Sequence, residues 1–218
     1  MAAVTSPVTA HAAAARRALI AAAAARGVRC HAAGSGVLRR FARGAPAGEP
    51  IALLGPPPGA ALEDVLLRRG AVWLLAGLSY PTNVGFALRT AEVSGAQGVI
   101  VDAAFSAADR RTALRASMRA DRVFPVIWSD APTSLAAARA AGARIVAVED
   151  NGTKAPWEID LRGPVLLVVG GERDGIPPPV LERCDDIVRV PMAGFIPSYN
   201  VQAAMAAVAV ERLRQVGA

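Results

Sequence analysis

The chain has little of what catalytic and metal-binding sites are usually made from. Among 218 residues there are two cysteines and two histidines. Cys30 and Cys184 form no CxxC pair, and His11 and His31 both lie near the start. This argues against a zinc site or a disulfide framework and makes a reducing cytoplasm the expected compartment. With no histidine after residue 31, a Ser-His-Asp or Cys-His site in the remaining chain has no imidazole base. Lysine occurs once, as Lys154, and no Gly-Lys pair exists, which excludes a P-loop. Gly34-Ser35-Gly36 is followed by Arg39 where a dinucleotide fingerprint needs its third glycine, so a nucleotide-binding oxidoreductase is a remote alternative. Aromatic residues make up only 5%, so a core drawn from a chain that is 53% hydrophobic must be built of Ala, Val, Leu and Ile. No apolar run is long enough to suggest a membrane span, because Arg16-Arg17 breaks the alanine-rich start. That start also lacks the basic n-region and leucine-rich run of a secretory signal.

Acidic residues are scarce in one part only. Residues 1–70 hold nine arginines against Glu49, Glu63 and Asp64, whereas residues 71–218 hold fifteen basic and fifteen acidic groups. The whole net charge of +6 therefore belongs to the N-terminal third, which suggests a polyanionic partner such as nucleic acid. A genome rich in G and C explains arginine in place of lysine, but not the shortage of acids before residue 71.

Residues 1–25 read as an alanine-favoured helix. Val28–His31 reads as a short strand, Val37–Arg43 as a basic helical stretch, and Ile51–Leu54 as another strand. Pro56-Pro57-Pro58-Gly59 is a rigid break. The expectation is a small α/β segment over residues 1–60, a linker over 61–70, and a large domain over 71–218. From Ala71 onward apolar strands (72–76, 98–101, 124–127, 144–148, 165–169, 187–190) alternate with helical segments (83–94, 107–120, 133–141, 177–184, 200–215). That alternation predicts an α/β fold with a parallel sheet covered on both faces. The last helix is rich in small residues, Ala203, Ala204, Ala206, Ala207 and Ala209, and is expected to be buried in the domain or in a dimer seam.

Two loops rich in Gly and Pro follow apolar strands: Gly170-Gly171-Glu172-Arg173-Asp174-Gly175, and Pro191 to Asn200. Ligands in open α/β sheets bind at such strand ends. A third strand-end segment, Pro81-Thr82-Asn83-Val84-Gly85, opens a helix that carries Arg89 two turns in. There a guanidinium can fork to phosphate, or serve simply as a solvated charge.

In order and spacing these segments resemble the SpoU/TrmH family of SPOUT ribose 2′-O-methyltransferases. Asn83-Val84-Gly85 with Arg89-Thr90-Ala91 is similar to the first motif of the family. Gly170-Gly171-Glu172 with Gly175 is similar to the second, and Val190-Pro191-Met192-Ala193-Gly194 with Ser198-Tyr199-Asn200 to the third. The resemblance covers about residues 71–215. It implies a SPOUT domain with a C-terminal deep trefoil knot, S-adenosylmethionine as cofactor with no metal, RNA (ribosomal or transfer) as substrate, and a homodimer. It also implies catalytic roles for Arg89, Glu172, Ser198, Asn200 and Asn83, and a cofactor pocket of Gly170, Gly171, Val190, Met192, Ile196 and Tyr199. Relatives often carry an N-terminal domain like ribosomal protein L30e, of which residues 28–54 would be a remnant.

The chain departs from the family at two places. Tyr199 stands for the usual leucine, and Met118-Arg119-Ala120 for a small-residue turn with glycine. RNA contacts are expected from Arg39 and Arg40 and from a basic helical face including Arg115 and Arg119. The alternative for that face is a solvated helix with Asp109 and Asp121 as local partners. A knotted RNA-binding protein without turnover is the other reading of the whole chain.

Overall fold

The computed structural model describes residues 7–28, 30, 32, 34, 38, 50–52, 55–196 and 198–218. The chain divides into two units, residues 1–54 and 55–218. In the first, helix α1 (Pro7–Ala25) is exposed along most of its described side chains. The strands expected at 28–31 and 51–54 are not formed at Val28, Cys30, Ile51 or Ala52, and their other residues lie outside the described set. So do Arg39, Arg40 and most of the basic stretch around them.

The second unit begins earlier than residue 71. Helix α2 (Leu62–Leu66) buries Leu62, Val65 and Leu66, so the expected linker is already packed core. Those three apolar residues recur at helical spacing, which drives the segment onto the sheet.

Six strands follow: β1 (Ala71–Ala76), β2 (Gly98–Asp102), β3 (Val126–Trp128), β4 (Arg144–Val148), β5 (Val165–Gly170) and β6 (Asp186–Val188). All pair in parallel, in the order β3-β2-β1-β5-β4-β6. Between them lie α3 (Pro81–Val93), α4 (Ala107–Ala116), α5 (Ala131–Ala140) and α6 (Pro178–Leu181), and α7 (Val201–Val216) closes the chain.

Every residue of β1 is buried, because alternate side chains face two separate helical layers. Trp73 and Leu75 join Val84 and Leu88 of α3 and Met205 and Val208 of α7. Val72 and Leu74 join Val65 of α2 and Leu135 and Ala138 of α5.

The strand read over 124–127 forms over Val126–Trp128, and three further elements differ. The helix read over 107–120 ends at Ala116, since Met118 (φ 56°) and Arg119 (φ 62°) take the left-handed conformation and reverse the chain. Arg115 and Arg119 therefore do not share a helical face. The helix read over 177–184 forms only over Pro178–Leu181: the prolines fill its N-cap and first turn, where no amide donor is needed, and past Leu181 the amides of Arg183 and Cys184 bond three residues back, to Val180 and Leu181, instead of four. Strand β6 stops at Val188, two residues short of Val190, where Arg189 turns its amide to the carbonyl of Lys154 (2.8 Å).

Candidate active site

The carboxyl ends of β4, β5 and β6 open onto a cavity of about 550 Å³. Its walls come from three stretches distant in sequence: Val148–Asp150 after β4, Val169–Gly175 after β5, and Arg189–Met192 with Ser198–Val201 after β6. The loop after β5 folds back on itself. The amide of Gly171 donates to the carbonyl of Gly175 (3.0 Å), and the reverse bond is 3.1 Å.

That loop delivers Glu172 to the start of α3. Asn83 Nδ2 donates to Glu172 Oε1 (2.7 Å), and the Ser79 amide donates to Oε2 (3.0 Å). Tyr80, at the N-cap, offers no side-chain cap, and the remote carboxylate lies beside this helix end, bonded to the Ser79 amide before it and to the Asn83 side chain within it. An anion at that position is favoured by the helix dipole. Asn83 and Glu172 are 89 residues apart, and only the parallel pairing of β1 with β5 brings them together.

Of the residues expected in the pocket, Gly170, Gly171, Val190, Met192 and Tyr199 line the cavity, together with Glu172, Ser198 and Asn200. Ile196 does not. It is 78% exposed, on the loop that follows β6. Asn200 caps α7, its Oδ1 accepting the Gln202 amide (3.2 Å). Tyr199 donates its hydroxyl to the carbonyl of Pro191 (3.2 Å). Arg89 is exposed on α3 and makes no hydrogen bond or ion pair among the described residues. Arg115 donates to Thr112 Oγ1 (3.1 Å). Arg119 is held by a double contact to Asp121 (3.0 and 2.9 Å), while Asp109 caps α4 through Ser106. Asp121 thus serves as a local partner of the basic residues, whereas Asp109 is engaged by Ser106 and pairs with no arginine among the described residues.

Motif reading missed Glu149 and Asp150, which line the same cavity. The available signal was an acidic pair directly after the apolar run Ile145–Val148. Burial, with the charge of Asp150 alongside, pushes the Glu149 carboxyl above its usual range against a bond from the Ile176 amide. A second cavity of about 520 Å³ lies at the ends of β1 and β2, lined by Ser79, Asp102 and Phe105 among others. No cluster of His, Cys, Asp and Glu suited to a metal ion occurs among the described residues.

The model of the SpoU rRNA methylase family matches residues 71–210, and the chain belongs to that family. Similar proteins include the 23S rRNA (guanosine-2′-O-)-methyltransferase RlmB of Pseudomonas aeruginosa, 36% identical over 158 residues, which are 71% of this chain and 64% of that protein. RlmB of Xanthomonas axonopodis is 33% identical over 155 residues, covering 71% of this chain and 62% of that one. The chain thus spans a little under two thirds of the length of these relatives. Among solved structures, the SpoU methyltransferase AviRb from Streptomyces viridochromogenes in complex with AdoMet is similar with a TM-score of 0.62 at 28% identity, over 69% of this chain and 60% of that one. An AdoMet-bound rRNA methyltransferase from Sinorhizobium meliloti is similar with a TM-score of 0.66 at 26% identity, over 75% and 62%.

Proposed function

We propose that this protein is an S-adenosylmethionine-dependent RNA ribose 2′-O-methyltransferase acting on ribosomal or transfer RNA. The observation that carries the reading is the clamp of Asn83 on Glu172. It joins the first and second family motifs at the rim of a cavity walled by the second and third. The names of the similar proteins point the same way.

The residues present fit the cofactor. A cavity of about 550 Å³ falls within the size range of small-molecule sites. Apolar walls from Val169, Val190, Met192 and Ala204 suit a purine, and the carboxylates of Glu149, Asp150 and Asp174 suit a cationic donor better than a polyphosphate. Gly170, Gly171, Val190, Met192 and Tyr199 would hold it, largely through backbone groups. When bound, S-adenosylmethionine supplies an activated methyl group on a sulfonium.

The protein must then orient and polarise a ribose 2′-hydroxyl. A guanidinium stays protonated, so Arg89 acts electrostatically, gripping a phosphate beside the target ribose and stabilising negative charge on the 2′ oxygen. Both carboxylate oxygens of Glu172 already accept hydrogen bonds, which makes Glu172 a brace between loop and helix rather than a base. Ser198 and Asn200, which line the cavity, would steer the ribose.

The same reading includes the deep trefoil knot, formed as the chain after β6 returns past the loop after β5. It includes a homodimer, supported by Phe86 and Val93 of α3 and Val210 of α7, all apolar and exposed. It assigns the basic residues 1–60, an L30e-like remnant, to substrate capture in the cytoplasm. Arg39 and Arg40 are its RNA contacts; in the larger unit Arg115 is another, and Arg119 contributes where its pair with Asp121 opens.

The decisive experiment pairs calorimetry with S-adenosylmethionine and methyl transfer to total RNA. Arg89→Ala is expected to keep cofactor affinity and lose about a hundredfold or more in turnover. Near-normal turnover by that variant would overturn the role of Arg89. Cofactor binding without transfer by the native chain would leave an RNA-binding protein instead.

A further inference from the structure

Glu149 lies outside all three motifs, yet the sheet fixes its place in the cavity. Its amide donates to the carbonyl of Val188 (2.9 Å), carrying the pairing of β4 with β6 one residue beyond the strand. The carboxylate therefore sits on a rigid element rather than on a loop. Gly175 makes room for it. That residue is left-handed (φ 64°), and a Cβ added there would lie 2.0 Å from Glu149 Oε1. Oε1 also takes a long hydrogen bond from the Ile176 amide (3.4 Å), whereas Oε2 has no donor among the described residues.

A half-buried carboxylate facing a cavity needs donors to offset its lost hydration. The surroundings narrow what those donors can be. Asp150, Glu172 and Asp174 line the same space against Arg173 and Arg189, so a further anion is disfavoured. A vicinal diol is neutral and presents two O–H donors at a spacing that one carboxylate can accept. In parallel α/β sheets a carboxylate at a strand end takes the ribose hydroxyls of a bound nucleoside.

We infer that Glu149 is the receptor for the ribose diol of the adenosyl cofactor, with Gly175 providing the slot that admits its carboxylate. The inference rests on the function proposed above. It adds a binding residue that none of the three motifs contains, and it places the nucleoside sugar against β4.

Calorimetry with S-adenosylhomocysteine and its 2′-deoxy and 3′-deoxyribose analogues tests it without any catalytic step. The native protein should bind the parent compound about tenfold or more tighter than either deoxy analogue, the size of a hydrogen bond to a charged acceptor. Glu149→Ala should bind all three alike, and more weakly than the native protein binds either deoxy analogue, each of which keeps one hydroxyl for the carboxylate. Glu149→Gln keeps the volume and the acceptor for the Ile176 amide, and should lose most of the preference even if the alanine variant folds poorly. Full retention of the diol preference in either variant would overturn the inference. Failure of the native protein to bind S-adenosylhomocysteine at all would remove the cofactor reading itself, and the inference with it.

Discussion

Tyr199 shows how one substituted residue can add an interaction inside a motif. A leucine at that position has nothing to offer a carbonyl, whereas the tyrosine hydroxyl reaches back eight residues to Pro191. Tyr199 is half exposed, so the bond works partly in water and its net value is small. Tyr199→Phe is expected to weaken cofactor binding about two- to fivefold, with kcat unchanged. Equilibrium titration beside steady-state kinetics would check this, and a loss confined to kcat would contradict it. The motif residues themselves are legible in the sequence, but their partners are not. Nothing in the spacing of Asn83 and Glu172 says that they touch, since their meeting depends on which strands pair. Ile196 illustrates the opposite case: an apolar side chain beside a pocket suggests a wall, and only the course of the loop shows it turned away.

At the scale of elements, two contacts explain residues that a pattern alone leaves unexplained. Gly85, the glycine of the first motif, lies where α3 crosses α4. A Cβ there would fall 2.4 Å from both the carbonyl oxygen of Ala113 and the Cβ of Ala116. Gly85→Ala should therefore destabilise the fold by about 1–3 kcal/mol, as overpacking does, visible as a lower Tm. The edge strand β6 is tied by Asp186, which accepts from Arg144 Nε (2.8 Å) and Lys154 Nζ (2.9 Å). Burial alone would raise the Asp186 carboxyl, but the bonds from Lys154 and Arg144 outweigh it and hold the group below its usual value. With a lowered folded-state pKa, this stabilisation is complete above the unfolded value of about 3.9 and disappears as pH falls through the folded one. Asp186→Asn is expected to lower Tm at pH 7 and to matter progressively less below about pH 4, which melting curves across pH would test. Strands such as Arg144–Val148 are readable because a continuous apolar run has few other fates. The end of helix α6 is not, since it is set by a change to three-residue hydrogen bonds at Arg183 and Cys184 that no hydrophobic period signals.

At the scale of the whole molecule, the charge imbalance and the exposed apolar residues make separate demands. If the N-terminal third captures RNA, replacing Arg39 and Arg40 together should flatten the slope of log affinity against log salt by about 0.7–0.9 for each phosphate that is no longer neutralised. An unchanged slope would assign those charges to solvent. If α3 and α7 meet a second copy, Val210→Glu should yield a monomer in sedimentation while leaving the melting of the single chain largely intact. A native protein already monomeric at micromolar concentration would end the dimer reading.

The position of β5 between β1 and β4 has a consequence for how the protein is made. Strand β4 is synthesised well before either of its neighbours in the sheet, and β1 waits for the far side of the chain to gain its second partner. Until residue 170 has left the ribosome, two long apolar segments have open edges, and no local pairing can close them. Folding should then be late and slow, limited by pairings between segments far apart in sequence. Nascent chains arrested just before β5 should be cut readily by protease, and those extended past α7 should resist.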